Sequence, residues 1–344
     1  MSSRLRPGRW KSYSTRQREA ASAAFLFAVE LRRSGGARPD RTARSHSRAA
    51  AGQRGCSRRR PLARGGAVSV ERFYDELAPF YHLIFPDWEA SIRRQAEALD
   101  GVIRERWGDG RLSILDTACG IGTQALGLAA LGHRVTASDL SAAEVERAGR
   151  EARDRGLAIR FSVADMRHLA AHHRELFDLV IACDNAVPHL LTDDELLAAF
   201  GQFFACTRPG GGCLITVRDY DREDRAGVQV KPCGVRDEGG VRYLIWQVWE
   251  FRGPVYDLAM YFVADRGASD CTTKVVRSRY YAVGTGKLME LMRQAGLVQV
   301  ERLDGRFYQP VLVGRRAAEP CAAADRAPQV GFSLSHTHSG GPGC

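Results

Sequence analysis

The chain has 344 residues, of which 44% are hydrophobic and 26% charged, so a packed core of one large domain or two small ones is feasible. Its net charge of +10 suggests a nucleic-acid partner only until it is divided along the chain: residues 1–66 hold 17 Lys and Arg against 3 Asp and Glu, and the remainder 33 against 37. The basic excess thus lies in one N-terminal stretch, and no apolar run approaches the roughly 18 residues a membrane span needs.

Residues 1–66 have few large apolar side chains and no lasting periodicity, and they read as a disordered basic extension. A solvated tail, sequence upstream of the true start, a targeting peptide and a nucleic-acid arm are the competing readings. The run AASAAFLFAV faintly resembles a signal-peptide core, but Glu30 and Arg32-Arg33 follow it with no small-x-small cleavage site. The tail at 317–344 is of low complexity and also reads as disordered. Nine cysteines without a C-x-x-C pair point to reduced thiols and a cytoplasmic location, with no metal site expected. His172-His173 and His336-x-His338 read as ordinary surface or tail histidines.

The region 67–316 reads as one domain. It opens on FYDELAPFYHLIFPDW, an amphipathic, aromatic-rich segment. From Ser113 the pattern alternates: the strand RLSILD, the helix QALGLAAL, the strand HRVTASD, then a helix opening on a capping box from Ser141 to Glu144. IRFSVAD and FDLVIAC are two more strands. A helix with a second capping box, Thr192 to Glu195, has its apolar face at 196, 197, 200, 203 and 204, and GCLITVRDY is a fifth strand. Such alternation predicts an α/β fold with a doubly wound, mostly parallel sheet that binds its ligand at the carboxyl ends of the strands. Between about 227 and 283 an insertion of three antiparallel strands predicts a lid, with a hairpin turn at Gly253-Pro254. A helix, GKLMELMRQAG, and a closing pair, VQVERL and PVLVGRR, complete seven strands in the main sheet.

Chemistry-bearing residues stand at the strand ends. Asp116-Thr-Ala-Cys-Gly120-Ile-Gly122 follows the first strand, and its glycines permit a tight turn against a ligand. Asp139 follows the second strand and can accept both hydroxyls of a ribose. Asp165-Met166 follows the third, where a carboxylate can accept an adenine amino proton and the Met can cover the ring. Gly120-x-Gly122-x-x-Ala125 also fits a loose dinucleotide fingerprint, but that reading leaves the third acid and the Arg208-Pro-Gly-Gly turn unexplained.

The series resembles the class I S-adenosylmethionine-dependent methyltransferases, on LDTACGIGT, Asp139, Asp165-Met166 and RPGG at 208–211. The resemblance implies a Rossmann-like methyltransferase fold. It also implies S-adenosylmethionine as cofactor, held by Asp116, Ala118, Gly120, Gly122, Asp139, Leu140, Asp165, Met166, Cys183 and His189. The opening helix of that family covers the methionine end, which adds Tyr74 and Tyr81. The absence of a (D/N)-P-P-(Y/F) motif and of a Pro-Cys nucleophile after the fourth strand counts against a nucleic-acid base as acceptor. Asn185, His189-Leu190, RPGG and Arg218-x-Tyr220-Asp221 look most like glycine and sarcosine N-methyltransferases, in which the positions of Asn185 and Arg218 hold the amino-acid substrate. Arg218, expected to close the fifth strand, can bind a carboxylate bidentately, or else pair with Asp219 or Asp221 at the rim. Tyr220 is a third candidate for positioning the substrate. Tyr220, His189 and Asp184 are candidate bases, and Tyr280-Tyr281 resembles a pair in the same family. A small-molecule amine is the expected partner. An amino-sugar or other natural-product N- or O-methyltransferase and a nucleic-acid-associated cofactor-binding protein are the alternatives. The oligomeric state stays open.

Overall fold

The computed structural model describes residues 69–267 and 269–318, so the expectations for residues 1–66 and for the tail beyond Ala318 lie outside the described residues. Helix α1 (Val70–Leu77) starts where Ser69 Oγ accepts the Arg72 N–H, and it buries Phe73 and Leu77. A 3₁₀ turn (Tyr81–Ile84) follows. Helix α2 (Trp88–Trp107), capped by Asp87, buries Ile92, Ala96, Leu99 and Ile103 as an i, i+4, i+7 stripe. The sequence reading passed over this helix.

Strands and helices then alternate as expected: β1 (Ser113–Asp116), α3 (Thr123–Ala130), β2 (Arg134–Asp139), α4 (Ala142–Asp154), β3 (Arg160–Val163), the short α5 (Leu169–His172), β4 (Phe177–Ala182), α6 (Asp193–Cys206) and β5 (Thr207–Thr216). Four lid strands come next: β6 (Val228–Glu238), β7 (Val241–Arg252), β8 (Val255–Asp265) and β9 (Cys271–Tyr281). Helix α7 (Thr285–Gln294), β10 (Val298–Leu303) and β11 (Val311–Arg315) complete the elements of the described residues.

The main sheet has seven strands in the order β10-β11-β5-β4-β1-β2-β3. β1 pairs in parallel with both β2 and β4, and the order reverses there, which is the switch point where such sheets open a crevice. Only β11 departs from parallel pairing, with β5 on one side and β10 on the other. The sheet's inner strands β1, β4, β5 and β11 are largely buried on both faces, so they read as near-continuous apolar runs, whereas the outer strands β3 and β10 are partly exposed.

Two expectations need correction. The fifth strand runs from Thr207 to Thr216, so the Arg208-Pro-Gly-Gly turn lies inside it as a register irregularity and Arg218 stands two residues beyond its end. The lid sheet has four antiparallel strands, β6-β7-β8-β9. The unexpected strand, β6, carries Pro232 and Gly234 at a register shift, and its Val228 and Val230 are exposed. Pro cannot donate to a ladder, so it is tolerated on this edge strand and hides the strand pattern.

The lid's inner face, with Ile245, Trp249, Tyr256, Leu258 and Phe262, joins the same core as Phe73, Leu77 and the α6 stripe Leu196, Phe200 and Phe203. Ion pairs and capping bonds fasten its rim: Lys274 to Glu76 of α1 at 2.8 Å, and Arg236 Nε to the Phe85 carbonyl at 2.8 Å.

Candidate functional site

At the carboxyl ends of β1, β2 and β4 the chain forms a cleft with a cavity volume of about 420 Å³, within the usual size for a small-molecule site. Ten of the residues expected around a cofactor line it together: Tyr74, Tyr81, Ala118, Gly120, Asp139, Leu140, Asp165, Met166, Cys183 and His189. Asp116 and Gly122 do not. Gly122, at φ 95°, starts α3 in a left-handed conformation and packs on Leu126. Gly120, at φ 52°, forms the cleft floor; a Cβ there would stand 3.0 Å from Glu144 Oε2 and 3.2 Å from Tyr81 Cε1.

The acids differ in state. Asp139 accepts the Gly120 N–H and the Ser141 N–H, both at 2.9 Å, one on each oxygen, which leaves a lone pair on each. Burial raises its carboxyl above the ordinary range, and those backbone bonds oppose the rise. Asp116 is fully buried with Oδ2 unpartnered. Burial, helped by Asp139, pushes it up to about 7. Burial also pushes Asp165 upward, but the Arg167 guanidinium bound across both its oxygens wins and holds it below the usual range. Arg167 also holds Glu195, 2.7 Å away.

Glu195 and Glu144 were both expected to close capping boxes. Each donates its N–H to the capping hydroxyl as expected. The reciprocal bonds differ: the Glu195 carboxylate accepts the Leu191 N–H, and the Glu144 carboxyl turns into the cleft.

One wall of the cleft is a relay of neutral polar groups. Tyr74 Oη lies 2.7 Å from His189 Nε2, and Ser278 Oγ of the lid lies 3.3 Å from His189 Nδ1. Burial drives the imidazole down to about 3, so it is uncharged near neutral pH and a poor base. Tyr280 stacks on His189 at 4.0 Å between centroids and on Tyr256 at 5.3 Å. The next residue, Tyr281, points the other way and donates to Asp193.

Behind that wall stand the three residues expected to position a substrate. None lines the cofactor cleft, but they form one cluster. Asn185 Nδ2 donates to Tyr220 Oη at 2.9 Å, and Asn185 Oδ1 accepts the Arg218 N–H at 3.1 Å. Asp184 and Asn185 both have left-handed backbones, at φ 55° and 66°. Such strain costs about 1–3 kcal/mol per residue, and the surroundings must hold it. Here Thr216 does so, accepting the Asp184 N–H on its hydroxyl and the Asn185 N–H on its carbonyl. Asp184 itself binds Tyr308 and Gln309.

The rim-pairing alternative for Arg218 is overturned. Asp219 is held by Arg302 at 2.6 Å and Asp221 lies by Arg225 at 3.7 Å, while Arg218 makes no ion pair among the described residues. Its guanidinium lies 4.4 Å from the Trp249 ring centroid and donates to Tyr256 Oη at 3.4 Å. Burial opposes its charge, and the phenols of Tyr256, Tyr220 and Tyr280 more than offset that. Tyr220 and Tyr256 share one hydrogen bond of 3.0 Å. Two phenolic protons thus serve a single link, and one O–H remains over to donate. The cluster is a net hydrogen-bond donor carrying a positive charge, so it suits an anion. Tyr256 and Trp249 stand on lid strands and carry no motif in the sequence. Their role appears once the β7–β8 register sets Phe251 opposite Tyr256 and folds that face inward.

The cleft's open carboxyl oxygens, glycine floor and aromatic wall fit S-adenosylmethionine, a cation with several N–H and O–H donors. A family model described as "Methyltransferase domain" matches residues 114–211. A glycine/sarcosine N-methyltransferase of Parasynechococcus marenigrum (strain WH8102) is 30% identical over 186 residues, 51% of this chain and 65% of that protein. A ubiquinone biosynthesis O-methyltransferase of Caulobacter sp. (strain K31) is 32% identical over 161 residues, 45% of this chain and 60% of that protein. The chain therefore spans less than two thirds of either relative. The solved structure of a sugar N-methyltransferase from Streptoalloteichus sp ATCC 53650 superposes with a TM-score of 0.59 at 21% identity, over 79% of this chain and all of that one, a likeness of fold. The strand order, the glycine turn and the family match converge: residues 114–211 form a methyltransferase domain of the class I S-adenosylmethionine-dependent kind.

Proposed function

We propose that the protein methylates the amine of a small carboxylated acceptor of the glycine or sarcosine kind. The observation that carries this reading is Arg218: a largely enclosed guanidinium, stacked on Trp249, with no carboxylate partner among the described residues. An unpaired enclosed charge is costly, and a substrate carboxylate is the anion that its planar fork binds in two places. Asn185 fixes the height of Arg218 through its backbone bond, and the spare phenolic proton of Tyr220 or Tyr256 adds a donor to the same anion.

When bound, the cofactor supplies an electrophilic methyl group on a sulfonium. The protein's share is placement. Arg218 anchors the far end of the acceptor, and the Tyr280 ring stands between that anchor and His189 at the cofactor cleft. Holding nucleophile and methyl at attack distance can contribute roughly 7–11 kcal/mol. The amine must be neutral to attack, and enclosure away from water favours that form. No base is required of the protein: His189 is too weak, and Asp184 is occupied by Tyr308 and Gln309. Tyr220 has its hydroxyl in the donor cluster, and burial raises it above the ordinary phenol range.

A second reading, N-methylation of an amino sugar, draws on the lid and on the fold likeness to a sugar N-methyltransferase. An acceptor screen with methyl-labelled cofactor separates the two. Glycine and sarcosine should be methylated, and Arg218→Ala should raise the acceptor KM on the order of 10- to 100-fold, the loss of roughly 1.5–3 kcal/mol of charged hydrogen bonds. Turnover only of carboxylate-free amino sugars, with a KM indifferent to Arg218, would reject the first reading.

A further inference from the structure

Glu144 stands in the first turn of α4, where its N–H donates to Ser141 Oγ at 3.2 Å. Its carboxyl has lost the partner a capping box would offer, because the Ser141 N–H is taken by Asp139 Oδ1 at 2.9 Å. The side chain turns into the cleft instead. There it is fully buried, and neither carboxyl oxygen has a hydrogen-bond partner. Its Oε2 stands against the glycine floor beside Tyr81.

The fold does not explain this placement. The α4 N-terminus is already capped by Ser141, and Asp75 of α1 reinforces it, accepting from Ser141 Oγ at 2.6 Å and from the Ala143 N–H at 3.2 Å. A buried carboxyl without a partner is destabilising by itself, so its benefit must come from a ligand. We infer that Glu144 is a further cofactor-binding residue, whose carboxyl accepts hydrogen bonds from the N–H or O–H donors of S-adenosylmethionine, either the ribose hydroxyls or the ammonium group.

The inference rests on the cofactor reading and not on the identity of the acceptor. The groups around Glu144 set its charge. Burial comes first, followed by Asp139 at the end of β2, with Asp75 of α1 adding to it; together they hold the carboxyl well above the usual range. Arg147 on α4 opposes them, but it is shared with Glu151 and with the Ala78 carbonyl. The remaining titratable neighbours are the half-buried Tyr74 and Tyr81 and the buried Cys119, all neutral. Glu144 is therefore held towards its protonated form before the ligand arrives, and donors occupying both oxygens favour loss of that proton.

The test titrates the full chain near pH 7 with S-adenosylhomocysteine and with 5′-methylthioadenosine, which keeps the ribose and lacks the amino-acid part. Calorimetry in two buffers of different ionisation enthalpy counts the protons. Wild type should release more proton on binding S-adenosylhomocysteine than Glu144→Gln does. Glu144→Gln should bind on the order of tenfold more weakly. A loss shared by both ligands assigns the ribose, and a loss confined to S-adenosylhomocysteine assigns the ammonium. Glu144→Gln and Glu144→Met should melt at or above wild type when ligand-free, with a smaller rise on adding S-adenosylhomocysteine. A structural carboxyl would behave the opposite way: lower melting and an unchanged ligand shift, with affinity and proton count as in wild type, and that result overturns the inference. A wild type that binds neither ligand overturns the cofactor reading and this inference together.

Discussion

His189 illustrates how one buried side chain couples the site to pH. Its imidazole titrates near 3 in the folded chain and near the ordinary 6.5 when unfolded. The unfolded state therefore binds more protons between those values, and stability present above about 6.5 is lost as pH falls towards 3. At 1.36 kcal/mol per unit the full effect reaches about 4–5 kcal/mol, an upper bound. His189→Gln should flatten this acid limb: between pH 6.5 and 4 its melting temperature should fall less than that of wild type. Parallel melting curves over that range would refute the assignment. Residues of this kind were only partly legible. Asp116, Asp139 and Asp165 stand out because an acid at each of three successive strand ends needs no tertiary knowledge to notice. Glu144 was hidden, since S-x-x-E satisfies a local rule, and only the folded chain shows Asp139 occupying the Ser141 N–H. Arg218 was found for its residue type, whereas its freedom from Asp219 depends on Arg302, 84 positions downstream.

Elements carry the next level of the design. Helix α1 closes one side of the cleft with Tyr74, and what ties it to α4 is Asp75 acting as a second cap across the helix boundary. Losing a cap costs about 1 kcal/mol. Asp75→Ala should therefore lower stability in urea by about that amount. It should also weaken S-adenosylhomocysteine binding several-fold, because α1 then samples undocked positions; unchanged affinity would show that the tie does not position Tyr74. The α6 stripe at 196, 200 and 203 and the β/α alternation were readable because burial imposes a period on the sequence. Helix α2 is hard to read from the sequence because its stripe is diluted by Arg93, Arg94, Glu97 and Arg104. Strand β6 escaped because an edge strand with Pro232, a bulge and exposed valines has no consistent inward face.

At the scale of the whole molecule, the described chain combines a nucleoside-sized cleft over the switch point of a mostly parallel sheet with a lid whose inner face carries the proposed anchor for the acceptor. The mostly parallel, seven-stranded sheet followed from the alternation of elements, but its order, with the antiparallel β11 set between β5 and β10, did not. The lid was legible as an insertion, and Tyr280 by resemblance, but the contribution of Trp249 and Tyr256 was not, since a strand's sequence does not say what its inner face will meet. All of the proposed chemistry depends on Asp139 and the glycine turn gathering one S-adenosyl nucleoside. Calorimetric titration of the full chain with S-adenosylhomocysteine tests this most directly. One binding site per chain is expected, weakened at least tenfold in Asp139→Ala; no binding, or binding indifferent to Asp139, would contradict it.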